Sequence, residues 1–177
     1  MRWAVPRAPA NDPQLRIDWN PLTATWRSLR YATQERSIFN SLLGISWYWF
    51  YGAVLLTQLP AFVRYSLHSD PQQLTLILAV FSVGVIGGSL LCERLSGGKI
   101  EIGLVPLGAF GLSAFAVDLY FARAHYAAAP ARLLIDFLLL GAASGIFVVP
   151  LYALVQERGD RQHQSRLMAC NNILNAL

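Results

Sequence analysis

Long runs without a single charged residue constrain this chain more than any other feature. Residues 37–63 hold no Asp, Glu, Lys or Arg over 27 positions, and residues 74–92 hold none over 19. Two further segments, 102–122 and 133–155, carry one acid each, Asp118 and Asp136. About 20 mainly apolar residues cross a hydrocarbon core of roughly 30 Å. Lipid offers the backbone no hydrogen-bond partner, so each segment must be helical. Barrel strands would alternate over about ten residues, and no such alternation occurs. Composition points the same way: 55% of the 177 residues are apolar and 14% are charged, against about 25% charge in soluble domains. Too little polar surface is left to cover a soluble core of this size. A soluble enzyme, a nucleic-acid-binding domain and a disulfide scaffold are excluded. The expected fold is an all-α polytopic membrane protein with four transmembrane helices and the start of a fifth.

The charges that remain are placed unevenly. Net charge is +4, but the bases are spread between apolar runs rather than gathered into the stripe that nucleic acid requires. Eleven of the fourteen bases fall in residues 1–36, 93–101 and after 155. Only Arg64, Arg123 and Arg132 fall in the alternate connections. The positive-inside rule therefore puts the N-terminus in the cytoplasm. Residues 1–36 form a hydrophilic lead and residues 37–177 the bundle. Over 25–36, Trp26, Leu29, Arg30 and Thr33 would share one face of an interfacial helix; a cytoplasmic linker is an equal alternative. A new apolar run from residue 167 reaches residue 177 after eleven positions, too few to span. The chain is thus expected to stop inside a fifth helix of a longer protein.

Small residues recur at packing distance within the spans. Gly84 and Gly88 make one small-xxx-small pair and Gly141 and Gly145 another, a pattern that lets helix backbones approach closely in lipid. Pro150 interrupts the backbone hydrogen bonding of the fourth span. Cys92 and Cys170 lie far apart without metal-ligand spacing. His68, His125 and His163 are isolated in connections. Nothing matches a nucleophile–base pair, a metal cluster or a phosphate loop, so neither an enzyme nor a cofactor is expected in this segment.

The most distinctive local pattern closes the second span: Ser89-Leu90-Leu91-Cys92-Glu93-Arg94-Leu95-Ser96-Gly97-Gly98-Lys99. It resembles the helix–loop signature of the major facilitator superfamily, in which a small residue is followed by an acid, a base, glycine and further bases. Here Ser89 stands where glycine is usual, Glu93 replaces aspartate, and the final basic pair shrinks to Lys99. An acid and a base at a helix end can latch neighbouring helices in one state and release them in another, so Ser89, Glu93, Arg94, Gly97 and Lys99 are the candidate gate. The alternative is a simple positive-inside anchor.

Residues 19–43, the run Gly44-Ile45-Ser46-Trp47-Tyr48-Trp49-Phe50, the segment 145–159 and the segment 169–177 with Asn171 and Asn172 extend this resemblance. They are similar to the second half of bacterial lysophospholipid transporters of that superfamily. They are more similar still to the transporter portion of proteins in which it is fused to an acyltransferase and an acyl-carrier-protein ligase. The resemblance implies helices seven to ten of a twelve-helix fold in the bacterial inner membrane, with lysophospholipid as cargo for re-acylation. It also implies the missing transporter helices as partners, and a fused or associated acyltransferase as a further one. A membrane module without transport of its own, or a transporter of another small molecule, are the competing readings, since fold does not fix function.

A lipid-like cargo needs an apolar wall and a few polar groups. Trp47 and Trp49 lie ten or more positions inside the first span, away from the interfacial aromatic belt. With Gln58 and Asn171 they are the candidate cavity residues; helix packing is the alternative for each. Asp118 and Asp136 sit near the outer ends of their spans. Ionisable groups within a membrane default to a functional hypothesis, here an outer gate or coupling-ion site, against a plain interfacial ion pair.

Overall fold

The computed structural model describes residues 33–158 and 164–176, together with Trp26 and Arg30. Arg2, Arg7, Arg16, Arg27, Arg161 and His163, and the resemblance over residues 19–25, lie outside the described residues. Of the interfacial segment over 25–36, Trp26, Arg30 and Thr33 are helical, and Trp26 is exposed. The Thr33 hydroxyl donates to the Arg30 carbonyl at 2.8 Å.

Five α-helices follow, with no strand among the described residues. They are α1 (Arg36–Ala61), α2 (Pro71–Ser96), α3 (Leu104–Ala122), α4 (Pro130–Arg158) and α5 (Gln164–Ala176). The first four are long and apolar enough to cross a membrane, as the uncharged runs require. Their ends follow local chemistry. Pro71 opens α2, where its missing N–H costs nothing. Gly97 closes it with φ 58°, a left-handed conformation in which a side chain would be strained. Pro60 lies inside α1, and the chain then passes into a π-helical turn over Phe62–Ser66; a proline nitrogen that cannot donate loosens the ladder at that point. Pro150 lies buried inside α4, which continues to Arg158.

The fourth helix is the hub. Within its most apolar window 61% of residues are buried, against 17% for each of the other three spans. It is gripped on one side by α2 and on the other by α3, and glycine makes both contacts. A Cβ placed on Gly84 or Gly88 would run into the backbone of Leu138 or Ala142, and one on Gly141 into that of Phe81. A Cβ on Gly145 would stand 2.6 Å from the Ser89 nitrogen. The two small-xxx-small pairs therefore face each other. Across α4, Gly108 and Gly111 receive Phe147 and Ala143 of the hub. Between lipid and protein there is no hydrophobic difference to exploit, so such close packing is what holds helices together.

The core has two storeys. At the end of the bundle carrying Arg36 and Arg158, Ile38, Leu42 and Ile45 of α1 pack with Phe147, Leu151 and Val155 of α4, and Cys170 of α5 joins them. The Arg158 guanidinium donates to the Ser37 hydroxyl there at 3.1 Å. At the opposite end Leu59, Val63 and Leu67 pack with Ile77, Leu119, Leu133, Phe137 and Leu140. Between the storeys no residue of α1 is fully buried: its buried residues stop at Ile45 and resume at Leu59.

Candidate functional site

That unburied stretch of α1 is flanked by cavities. One, of about 350 Å³, lies among Tyr51, Leu55, Gln58, Leu119, Arg123 and Phe137. A second, of about 370 Å³, lies among Trp47, Tyr48, Tyr51, Leu112, Ala116 and Phe147. A third, of about 270 Å³, lies on the α2 side among Tyr48, Trp49, Tyr51, Phe81 and Ser144. Tyr51 borders all three, and its hydroxyl is shielded from solvent without a hydrogen-bond partner. The walls are mainly apolar, with few polar groups: Gln58 and Arg123 in the first cavity, Ser113 in the second and Ser144 in the third.

The four cavity candidates from the sequence are not brought together. Trp47 and Trp49 stand two positions apart on the helix and so border different cavities. Trp49 donates through Nε1 to the Tyr152 hydroxyl at 2.9 Å, tying α1 to the hub. Gln58 lies more than two turns further on. Asn171 is buried in α5 and borders none of these three cavities; its Oδ1 has no partner. Four positions on, Asn175 accepts a hydrogen bond from Ser46 at 3.0 Å. Tyr51, Leu55 and Arg123 were not singled out as cavity residues by sequence reasoning. The spacing of Tyr48, Tyr51, Leu55, Gln58 and Phe62, three and four apart, marks a single helical face and is the signal that reaches Tyr51 and Leu55; Arg123, just past the end of α3, carries no such signal.

At the end of α2, Ser89 is half-buried against α4 and its hydroxyl returns to the Val85 carbonyl at 2.8 Å. Glu93, Arg94, Gly97 and Lys99 are all exposed. Among the described residues neither Glu93 nor Arg94 has an ion-pair partner. Gly97 and Gly98, with φ 58° and 75°, turn the chain sharply after the helix. The Lys99 N–H closes the turn on the Ser96 carbonyl at 3.0 Å. The pair thus stands free at the tip of a helix whose body is fixed to the hub.

At the opposite end the acids come together. Arg132 of α4 donates to Asp118 Oδ1 of α3 at 2.7 Å. Asp136, one turn along α4 from Arg132, is 4% exposed and lies against the Asp118 carboxyl. Among the described residues no three His, Cys, Asp or Glu side chains could hold a metal ion.

Comparison with known proteins accords with this arrangement. The family profile of the Major Facilitator Superfamily matches residues 1–177. The lysophospholipid transporter LplT of Cronobacter sakazakii (strain ATCC BAA-894) is 31% identical over 162 residues, covering 89% of this chain. Its counterpart in Serratia proteamaculans (strain 568) is 31% identical over 159 residues, or 88% of the chain. That of Enterobacter sp. (strain 638) is 28% identical over 157 residues, again 88%. The chain spans 38% of the length of each of these relatives. No solved structure matches it.

Proposed function

Since the chain belongs to the major facilitator superfamily, we propose that it forms part of a secondary transporter that moves lysophospholipid across a bacterial inner membrane by alternating access. The observation that carries this reading is the mid-span stretch of α1, which has no fully buried residue and is bordered by three apolar cavities. A single-chain lipid needs such an apolar wall, with polar groups confined to a few positions. Trp47, Trp49 and Gln58 contribute to that wall, whereas Asn171 is buried in α5 away from these cavities. Identity of 31% to lysophospholipid transporters supports the cargo. In cells expressing the full-length protein, deletion should abolish uptake of labelled lysophospholipid. Unchanged uptake would overturn the cargo.

In this reading the Arg36 end of the bundle faces the cytoplasm, following the excess of arginine there. A periplasmic phosphatase fused after Leu67 should be active, and one fused after Gly98 inactive. The reverse pattern would overturn the orientation.

Glu93 and Arg94 serve as the cytoplasmic latch, with Ser89, Gly97 and Lys99 shaping and flanking their turn. Both are exposed and without an ion-pair partner among the described residues, which leaves them free to engage the other half of the transporter. Joint substitution Glu93→Gln and Arg94→Gln should slow lipid uptake by about tenfold, equivalent to about 1.4 kcal/mol, without lowering the melting temperature. Acylation of lysophospholipid supplied directly to a fused or associated acyltransferase should be unaffected. Full uptake by the double variant would assign these residues to anchoring alone.

A further inference from the structure

We propose that Asp118 and Asp136 form a site for one exchangeable monovalent cation, H⁺ or Na⁺, with Arg132 as the fixed counter-charge. Three groups meet where α3 and α4 pack: two carboxyls and one guanidinium. Arg132 is already committed, donating to Asp118 Oδ1 at 2.7 Å. Asp136 shares its helix face, four residues on, and presses against the same Asp118 carboxyl. One positive charge therefore serves two acids.

Asp136 is the acid left over. It is 4% exposed, and its Oδ2 is cut off from solvent without any hydrogen-bond partner. A carboxylate in that position loses its hydration and gains in return only the attraction of Arg132, which Asp118 already holds. Among the described residues, the other bases at this end are engaged elsewhere. Arg123 donates to the Tyr120 carbonyl at 3.1 Å and lies over the Tyr120 ring. Arg64 lies over Tyr65, and His125 turns to the Phe121 carbonyl. From α1, the turn that follows it and α2, this storey of the core receives Leu59, Val63, Leu67 and Ile77, all apolar. The balancing charge must come from a mobile ion small enough to reach the buried Asp136 carboxyl.

The site goes beyond the cargo reading and does not rest on it. Were Asp118 and Arg132 merely an interfacial ion pair, breaking it from either side would have the same consequence. A cation site makes the two variants opposite in sign. Asp118→Asn releases Arg132 to neutralise Asp136 and should weaken cation binding by about tenfold or more. Arg132→Gln leaves two acids without a base and should tighten it by a similar factor. Asp136→Asn should abolish it.

The experiment uses the full-length protein in lipid nanodiscs with no lysophospholipid added, so its outcome is independent of the cargo. Saturable ²²Na⁺ binding at fixed pH tests for sodium. The infrared carboxyl C=O band between pH 5 and pH 9, without sodium, tests for the proton. Either signal in the wild type, absent from Asp136→Asn and shifted oppositely by Asp118→Asn and Arg132→Gln, supports the proposal and identifies the ion. Neither signal in the wild type, or the same shift in both variants, overturns it. Should Asp136→Asn fail to fold, the opposed pair decides alone.

Discussion

Gly88→Leu should prevent the full-length protein from accumulating in folded form, while Gly87→Ala leaves it unaffected. The two glycines are adjacent, yet their surroundings differ completely. A Cβ on Gly88 would meet the carbonyl, carbonyl carbon and Cα of Ala142, whereas Gly87 has nothing within 4 Å. Overpacking ordinarily costs about 1–3 kcal/mol because side chains can yield. Here the obstacle is the backbone of the hub helix, itself held on its far side by Gly108 and Gly111 of α3. Neither partner can move without opening a second interface, so the loss should exceed about 4 kcal/mol, the range that marks a failed contact. Fluorescence-detected size exclusion after graded heating measures it in detergent extracts. A Gly88→Leu protein that melts with the wild type would refute backbone contact between α2 and α4.

Ala116→Trp should reduce lysophospholipid uptake at least tenfold, about 1.4 kcal/mol or more in transition-state terms, with little change in melting temperature. Ala116 lines the cavities of about 350 and 370 Å³ on the α3 side of α1. An indole there enters existing space and displaces no packed side chain, so the usual penalty of overpacking is largely avoided. What it removes is room for cargo. The control is Phe110→Trp, on the same helix but exposed and away from these cavities, which should transport normally. Full uptake by Ala116→Trp would mean that these spaces are packing gaps and that the lipid passes elsewhere.

The sequence was most informative wherever lipid and water impose opposite demands. The four spans were legible because a charge inside hydrocarbon is expensive, so uncharged runs mark crossings. The bounds moved by only a few residues at each end, with α2 opening at Pro71 and closing at Gly97. The glycine pairs in α2 and α4 were equally visible. Their mutual engagement was not, since small residues at four-residue spacing do not say which helix they meet.

The candidate site was less legible for a related reason. In a soluble protein a polar face tells which side of a helix looks outward. In a bilayer both the lipid-facing and the protein-facing sides are apolar, so the rotation of each helix leaves little trace in composition. Trp47 and Trp49 could be placed mid-span from sequence, but not assigned to separate cavities. Tyr51 did not stand out within an aromatic run, although it borders all three spaces. The acids were the reverse case. Their expense in the membrane singled out Asp118 and Asp136 at once, and both were assigned to the same end.

Sequence alone thus determined how many helices are long and apolar enough to cross, where each stops to within a few residues, and which few residues are costly enough to need a reason. Tertiary structure alone decided that α4 is the hub, that α1 is secured at two storeys and open between them, and that Arg132 is spent on Asp118. Depth in a membrane is set by each residue's own transfer free energy, which the sequence carries. Partnership is set by the rotation and closeness of helices, which depends on packing between segments far apart in the chain.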